Sequence, residues 1–123
     1  MKTISIKELA FKAARLGEDK KAKDTEILDI TKISEVADYI IIASASSKAQ
    51  LKAVASHIED SLAKEGMEPA MREGKYGDQW FLLDYLNVVV HIIDEKAREY
   101  YNLEELWAGA DFLPRDEWAE ELS

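Results

Sequence analysis

The chain has 123 residues, a length typical of one globular domain that buries about two-thirds of its unfolded surface. Apolar residues make up 47% and charged residues 33%, which excludes collagenous, low-complexity and wholly disordered chains. Cysteine is absent, so disulfides, thiol catalysis and cysteine-ligated metal sites are excluded. The 25 acidic residues outnumber the 16 basic ones, and the net charge of −9 disfavours direct nucleic-acid binding and favours a basic partner.

No apolar run reaches the roughly 20 residues that a membrane-spanning helix needs. Residues 1–10 show neither the apolar stretch nor the cleavage site of a signal peptide. We therefore expect a soluble, cytoplasmic protein with no membrane association.

The first half of the chain predicts two helices and two strands. A capping box at residues 5–8 starts an amphipathic helix that ends at Gly17. Residues 25–30 predict a strand, and residues 38–43, with three consecutive isoleucines, predict a central strand covered on both sides. A second capping box at residues 47–50 starts a helix that ends at Gly66.

The second half predicts three strands and a short helix. Residues 67–72 form a weak strand and residues 73–78 a polar loop. Residues 80–83 and 88–93 predict an antiparallel hairpin, after which Asp94 caps a short helix. Residues 103–107 predict one further helical turn.

This order predicts an α/β single domain with a mixed sheet of about five strands and helices packed on it. The strands flanking the second helix are expected to pair in parallel through a right-handed crossover. We assign the domain to residues 1–110. Residues 111–123 form an acidic C-terminal appendage that folds back through Phe112 and Trp118.

Catalytic and metal-binding patterns are scarce. The only histidines are His57 and His91, and a single histidine in a strand is more often a structural residue than a ligand. No histidine–glutamate or calcium-type spacing is present, and no glycine-rich phosphate loop, so we expect no metal and no cofactor.

The polar residues around the strand ends have structural explanations. Ser44, Ser46 and Ser47 follow a central strand, but Gly-x-Ser-x-Gly is absent and helix capping accounts for Ser47. We expect Asp38 and Asp84 to accept hydrogen bonds from turn amides.

Aromatic residues are concentrated between residues 80 and 107, which favours a partner interface. We expect Trp107 and one of Tyr100 and Tyr101 to lie in the core. Alternation in the strand at residue 80 places Trp80, Leu82 and Asp84 on one face, and an apolar face left uncovered would be a binding patch.

Several segments together resemble the ribosomal silencing factor (Iojap-like) family over almost the whole chain. They are Asp-Tyr-Ile-Ile-Ile at 38–42, Ser-Ala-Ser-Ser at 44–47, Glu-Gly at 73–74, Trp-Phe-Leu-Leu-Asp-Tyr at 80–85, Val-Val-Val-His at 88–91 and Ala-Arg-Glu-Tyr-Tyr-Asn-Leu-Glu-Glu-Leu-Trp at 97–107. The chain departs from the family at Ala45 and Leu86, where glycine is usual. Leucine does not favour the positive φ that glycine tolerates, so the hairpin turn is expected to differ.

The resemblance implies a nucleotidyltransferase-like fold without the catalytic motif and a factor that is not an enzyme. Family members bind the large ribosomal subunit through a basic ribosomal protein at the subunit interface, number fourteen, and obstruct joining of the small subunit when nutrients fail. Organellar relatives are linked to ribosome biogenesis.

On this basis we expect Trp80 to anchor the partner. Leu82, Tyr85 and Val88 lie beside it in this expectation, and Asp84 and Glu73 accept hydrogen bonds from basic side chains.

Two alternatives stay open from the sequence. One is a nucleotidyltransferase-like enzyme that holds a nucleotide among Ser46, Ser47, Asp38 and Asp84. The other is an adaptor that forms a free homodimer through the same hairpin.

Overall fold

The structure is a computed structural model that describes residues 4–75, 79–102, 105 and 107–119. Its helices and strands follow the order α1 (Ile6–Asp19), β1 (Lys23–Asp29), β2 (Tyr39–Ala45), α2 (Lys48–Ala63), β3 (Met71–Lys75), β4 (Trp80–Asp84), β5 (Val88–Asp94), α3 (Glu95–Tyr101), β6 (Asp111–Phe112) and α4 (Arg115–Trp118).

The six strands form one mixed sheet in the order β3-β4-β5-β2-β1-β6. Only β2 and β5 pair in parallel, and the other neighbours, including the predicted β4–β5 hairpin, are antiparallel. The α/β class and the mixed sheet are confirmed. The sheet is one strand wider than expected because β6, within the predicted appendage, pairs with β1.

The predicted parallel pairing across α2 is wrong. The parallel neighbour of β2 is β5, while β3 runs in the same direction as β2 but is separated from it by β4 and β5. Strand β5 is apolar enough to be covered on both faces, which suits the centre of a sheet. Strand β3 carries Arg72 and Glu73, and charged residues are typical of an edge strand.

Helix α1 begins as predicted and ends later than predicted. Ser5 Oγ accepts from the Glu8 amide at 3.1 Å, and Glu8 Oε1 accepts from the Ser5 amide at 3.4 Å. Gly17 does not end the helix but is buried inside it, where a Cβ would lie 3.7 Å from Ile58 of α2, an ordinary packing distance.

Helix α2 has only half of the predicted capping box. Ser47 Oγ accepts from the Gln50 amide at 3.1 Å, but the Gln50 side chain bonds elsewhere. Its Oε1 accepts from the Ser46 amide at 2.8 Å, and its Nε2 donates to the carbonyl of Lys21 at 2.8 Å. Gln50 therefore fastens the α1–β1 turn to the first turn of α2. Gly66, at φ +85°, follows the helix as predicted.

Strand β3 begins and ends later than predicted. It spans Met71–Lys75, so residues 73–75 belong to a strand and not to the predicted loop. Residues 76–78 of that loop lie outside the described part of the chain, as do residues 103, 104 and 106 of the predicted helical turn.

The sheet has two unlike faces. The helix-covered face packs under α1 and α2 and holds buried side chains from all the central strands, including Ile27, Ile41, Leu83 and Val90. The second face, which we call the open face, is covered over only part of its area. There, α3, Trp107 and Ala110 lie above β1, β2 and the end of β5. The isoleucines of β2 are buried on both faces, as predicted.

The tail beyond residue 110 joins the same core through Trp118, which is 1% exposed. The Trp118 carbonyl accepts from Arg15 of α1, and the Arg115 guanidinium forms two hydrogen bonds to the Glu18 carboxylate at 2.5 and 2.6 Å. Phe112, the other expected contact, lies half exposed on the edge strand. The domain boundary at residue 110 stays a prediction.

None of the helices in the described part of the chain combines the length and apolar character of a membrane-spanning segment.

Candidate functional site

Within the described part of the chain, the open face is only partly covered above β3 and β4. Alternation places Trp80, Leu82 and Asp84 on this face, and each is partly exposed, whereas Phe81 and Leu83 are buried under the helices. The shared face predicted for the first three residues is therefore confirmed.

The strand pairing defines which residues lie beside Leu82 on the two neighbouring strands. Glu73 of β3 lies opposite Leu82 on one side, and His91 of β5 lies opposite it on the other. Met71, 49% exposed, lies opposite Asp84 at the far end of the strand. Directly opposed residues in antiparallel strands share a face, so these side chains form one continuous surface.

Trp80 is the centre of an aromatic cluster on the open face. Its Nε1 donates to His91 Nδ1 at 3.0 Å, and the two ring centroids are 5.7 Å apart. The Tyr101 ring lies 5.6 Å from Trp80, and the Trp107 ring 5.4 Å from His91. Because indole only donates, His91 Nδ1 is the acceptor of this bond. His91 is thus the structural histidine that the sequence predicted.

Helix α3 extends this cluster into solvent. Tyr101 is 38% exposed and Tyr100 is 81% exposed, and their rings meet edge to face at 4.9 Å. The prediction that one of the two tyrosines lies in the core is wrong, because α3 lies at the border of the sheet and leaves both rings outside it. Trp107 is partly buried against the open face.

The predicted placement of Tyr85 and Val88 beside Trp80 is wrong. Both side chains are buried on the helix-covered face. Tyr85 follows the strand end and turns inward, and Val88 begins β5 on the same side as Val90. Neither side chain offers surface to a partner on the open face.

Asp84 and Glu73, the two carboxylates predicted to bind the partner, differ in their contacts. Asp84 Oδ1 accepts from the Leu86 amide at 2.7 Å, the turn contact expected from the sequence. The other carboxylate oxygen of Asp84 can accept a hydrogen bond at the rim of the open face. Glu73 is partly exposed in the middle of β3. Their roles in binding stay predictions.

The turn after Asp84 carries the departure noted at Leu86. Its φ is +73°, and the Asn87 amide donates to the Tyr85 carbonyl at 3.0 Å around it. This is the less common form of the γ-turn, which strains a leucine. The turn therefore keeps a backbone conformation that suits glycine despite the leucine.

Arg98 lies in the segment at residues 97–107 that resembles the family, but the sequence predicted no role for it. It is 8% exposed, and its Nη1 donates to Ser44 Oγ at 2.9 Å and to the Asp24 carbonyl at 2.6 Å. Its Nη2 pairs with Glu26. These bonds join α3 to β1 and β2 and fix the helix that carries Tyr101. In the sequence, the only signal for this role was an arginine two residues before a pair of tyrosines.

The four residues of the enzyme alternative do not lie in one site. Asp38 precedes β2 and Ser46 and Ser47 follow it, so about 26 Å of extended strand separates them at ~3.3 Å per residue. Asp84 lies at the Asp38 end, because it pairs with Val89 near the start of β5. The four residues cannot surround one nucleotide. Ser46 also donates to Gln50, while Ser47 caps α2.

In the described ranges, no three histidine or carboxylate side chains are gathered in a way that could hold a metal ion. His57, the second histidine, contacts Asp19 at 3.2 Å between the two long helices.

Comparison with known proteins agrees with this architecture. A family model described as "Ribosomal silencing factor during starvation" matches residues 3–122. The chain belongs to the ribosomal silencing factor family. The resemblance derived from the sequence segments is confirmed, and the family name describes a regulatory role that represses translation.

The relatives include bacterial and organellar members of this family. The ribosomal silencing factor of Bacillus subtilis (strain 168) is 39% identical over 104 residues, covering 85% of this chain and 88% of that protein. The chloroplastic protein Iojap of Zea mays is 34% identical over 82% of this chain and 44% of its own length. A crystal structure of a Chromobacterium violaceum protein has a TM-score of 0.81 and 30% identity, covering 98% of this chain and 92% of that one.

Proposed function

We propose that this ribosomal silencing factor binds the large ribosomal subunit through the basic interface protein number fourteen and blocks joining of the small subunit. It acts in the cytoplasm without a cofactor or catalytic step. A bound domain that overlaps the footprint of the small subunit excludes it by volume, so affinity alone sets the degree of repression.

The observation that carries the proposal is the uncovered part of the open face. Met71, Trp80 and Leu82 expose apolar surface there, between the carboxylates of Glu73 and Asp84. Apolar and aromatic residues with a polar rim are typical of protein interfaces. The net charge of −9 favours encounter with a basic ribosomal protein.

Within this face we assign Trp80 as the anchor. Its ring is held between His91 and Tyr101, so little side-chain freedom is lost on binding. Leu82 contributes packing beside it, and Asp84 and Glu73 accept hydrogen bonds from lysine or arginine.

The test compares Trp80→Ala with Trp80→Phe in sedimentation with separated ribosomal subunits. Removing a buried interface tryptophan costs about 2 kcal/mol, so Trp80→Ala should bind the large subunit about thirty-fold more weakly. Trp80→Phe keeps a ring but loses the donor to His91, and should retain most of the affinity. Circular dichroism confirms that both variants fold.

Undiminished retention of Trp80→Ala would remove this residue from the anchor role. Wild-type protein that ignores large subunits, or that leaves subunit joining unaffected, would overturn the proposed function. Light scattering of the free protein separates a monomer from the homodimer that the sequence leaves open as an alternative, which would use the same face.

A further inference from the structure

One end of the sheet collects lysines, although the chain as a whole is acidic. Strand β2 ends there at Ala45, and the start of β1 and the end of β5 lie beside it, because Lys23 pairs with Ser44 and Asp94 pairs with Ala45. We call this region the lysine end. It is defined by six residues, Lys20, Lys21, Lys23, Lys48, Lys52 and Lys96.

Local contacts hold these segments together. Gln50 of α2 donates to the carbonyls of Lys20 and Lys21, so the α1–β1 turn lies against the start of α2. Lys48 and Lys52 lie one turn apart on α2, and Lys96 lies in the first turn of α3.

Most of these ammonium groups are exposed and unneutralised. Within the described part of the chain, Lys23 pairs with Glu95 at 3.3 Å, but none of the other five lysines has a carboxylate within 4.0 Å. All six are exposed.

The acidic residues of the lysine end are largely occupied by other groups. Asp94 accepts from the amides of Lys96 and Ala97, Asp19 contacts His57, and Glu95 pairs with Lys23. Two further carboxylates are Asp24, on the bulged start of β1, and Glu99 of α3, which lines the same cavity as Asp24 and Glu95. The positive end of the α2 dipole adds to the potential on the same surface.

The opposite end of the sheet has the reverse balance. Asp29, Glu35 and Asp38 flank or lie in the β1–β2 connection, and Asp84 begins the β4–β5 turn. Lys32 in that connection is paired with Asp111 at 3.3 Å. Charge is therefore distributed unevenly along the strands, and the net negative charge of the chain lies away from the lysine end.

We propose that the lysine end contacts the phosphate backbone of ribosomal RNA beside the partner protein, an inference that rests on the proposed function. The exposed residues between the lysines are small, namely Ser46, Ser47 and Ala49, and offer no large apolar side chain for packing against a protein. Lysine is a flexible point charge that suits phosphate contacts without sequence readout.

The position of the lysine end supports this assignment. Trp80 pairs with Ile93, one residue before Asp94, so the proposed anchor lies next to the lysine end. A ribosomal protein held at Trp80 would bring the surrounding RNA toward these lysines. Their charge offsets the repulsion that a chain of net charge −9 meets near phosphates.

The experiment measures binding of the full-length chain to purified large ribosomal subunits over a range of KCl concentrations. The test variant is K20Q/K48Q/K52Q, and the matched control K7Q/K32Q/K64Q removes the same charge from residues outside the lysine end. We expect the test variant to bind about tenfold more weakly at 0.1 M salt, with a log–log salt slope lower in magnitude by about 2. The control should keep the wild-type slope.

A further variant, K20R/K48R/K52R, should restore the wild-type slope because it restores charge. Equal salt slopes for the wild type, test and control variants would overturn the inference while leaving the proposed function intact. An equal loss by both glutamine variants would assign the effect to net charge and overturn it too. If the test variant also bound the isolated ribosomal protein tenfold more weakly, the lysines would contact a protein partner. That result would overturn the inference. Wild-type protein that binds no large subunit would overturn both proposals.

Discussion

The two faces of the sheet are built from the same strands but differ in what covers them. On the helix-covered face, α1 and α2 bury aliphatic side chains such as Leu83 and Ile92 completely. On the open face, a short helix and an irregular segment cover β1 and β2 and leave Leu82 and Met71 above β4 and β3 partly exposed.

This difference separates stability from binding within single strands. In β4, successive residues alternate between a core that holds the fold and a surface that is available to a partner. A substitution on one face can therefore leave the other unchanged, and adjacent residues provide matched tests.

The largest expected difference is between two neighbouring leucines. Leu83→Ala leaves a cavity under the helices and should lower the free energy of unfolding by about 3 kcal/mol. Leu82→Ala removes a partly exposed side chain and should cost about 1 kcal/mol or less. Urea denaturation measures both, and equal losses would contradict the division between the faces.

The binding data should show the opposite order for these two variants. Leu82→Ala should weaken large-subunit binding, whereas folded Leu83→Ala should bind as the wild type does.

A smaller effect tests whether the helix-covered face excludes water at Tyr85. Burial raises the pKa of Tyr85 to about 12. In the unfolded chain the phenol ionises near 10, so the unfolded state loses its proton first and stability falls as pH rises from 10 to 12. The loss should be about 2 kcal/mol.

Tyr85→Phe serves as the control, because it has no group to ionise. Its free energy of unfolding should lack this component, so the difference between the two proteins should grow from pH 10 to pH 12. A difference that stays constant over this range would show that water reaches the hydroxyl.

The smallest effect concerns the turn that joins β4 and β5. Leu86, 63% exposed at φ +73°, packs into neither face. Leu86→Gly should relieve the strain and raise stability by about 1 kcal/mol, and Leu86→Ala should not. Thermal denaturation measures both, and binding of the large subunit should be unaffected. Destabilisation by Leu86→Gly would contradict the assigned strain.

The parts of the fold that follow from local patterns were predictable. The capping box at Ser5, the buried isoleucines of β2 and the β4–β5 hairpin all depend on residues close together in sequence. The alternation that places Trp80 and Leu82 on one face also needs no information from outside the strand.

The features that failed depend on contacts between distant segments. Gly17 looked like a helix end, but α1 continues to Asp19 and buries Gly17 beside Ile58 of α2. Tyr85 and Val88 were assigned to the wrong face because their direction depends on the turn around Leu86. The spacing of these two residues from Trp80 in the sequence gives no information on the direction of their side chains.

Long-range polar contacts were also invisible in the sequence. Arg98 binds Glu26 and Ser44, which are more than 50 residues away along the chain. The lysine end likewise becomes a surface only once three separate segments meet at one end of the sheet.

The parallel pair β2–β5 has a consequence for how the chain folds. It is the only link in the described sheet between the units β3-β4-β5 and β2-β1-β6, and it joins Tyr39 to Val88. The hairpins β1–β2, β3–β4 and β4–β5 can form early from nearby residues, but this seam requires closure of a loop of roughly fifty residues, and the pairing of Leu28 in β1 with Phe112 in β6 closes a still longer one. We therefore expect these two long-range pairings to form after the hairpins.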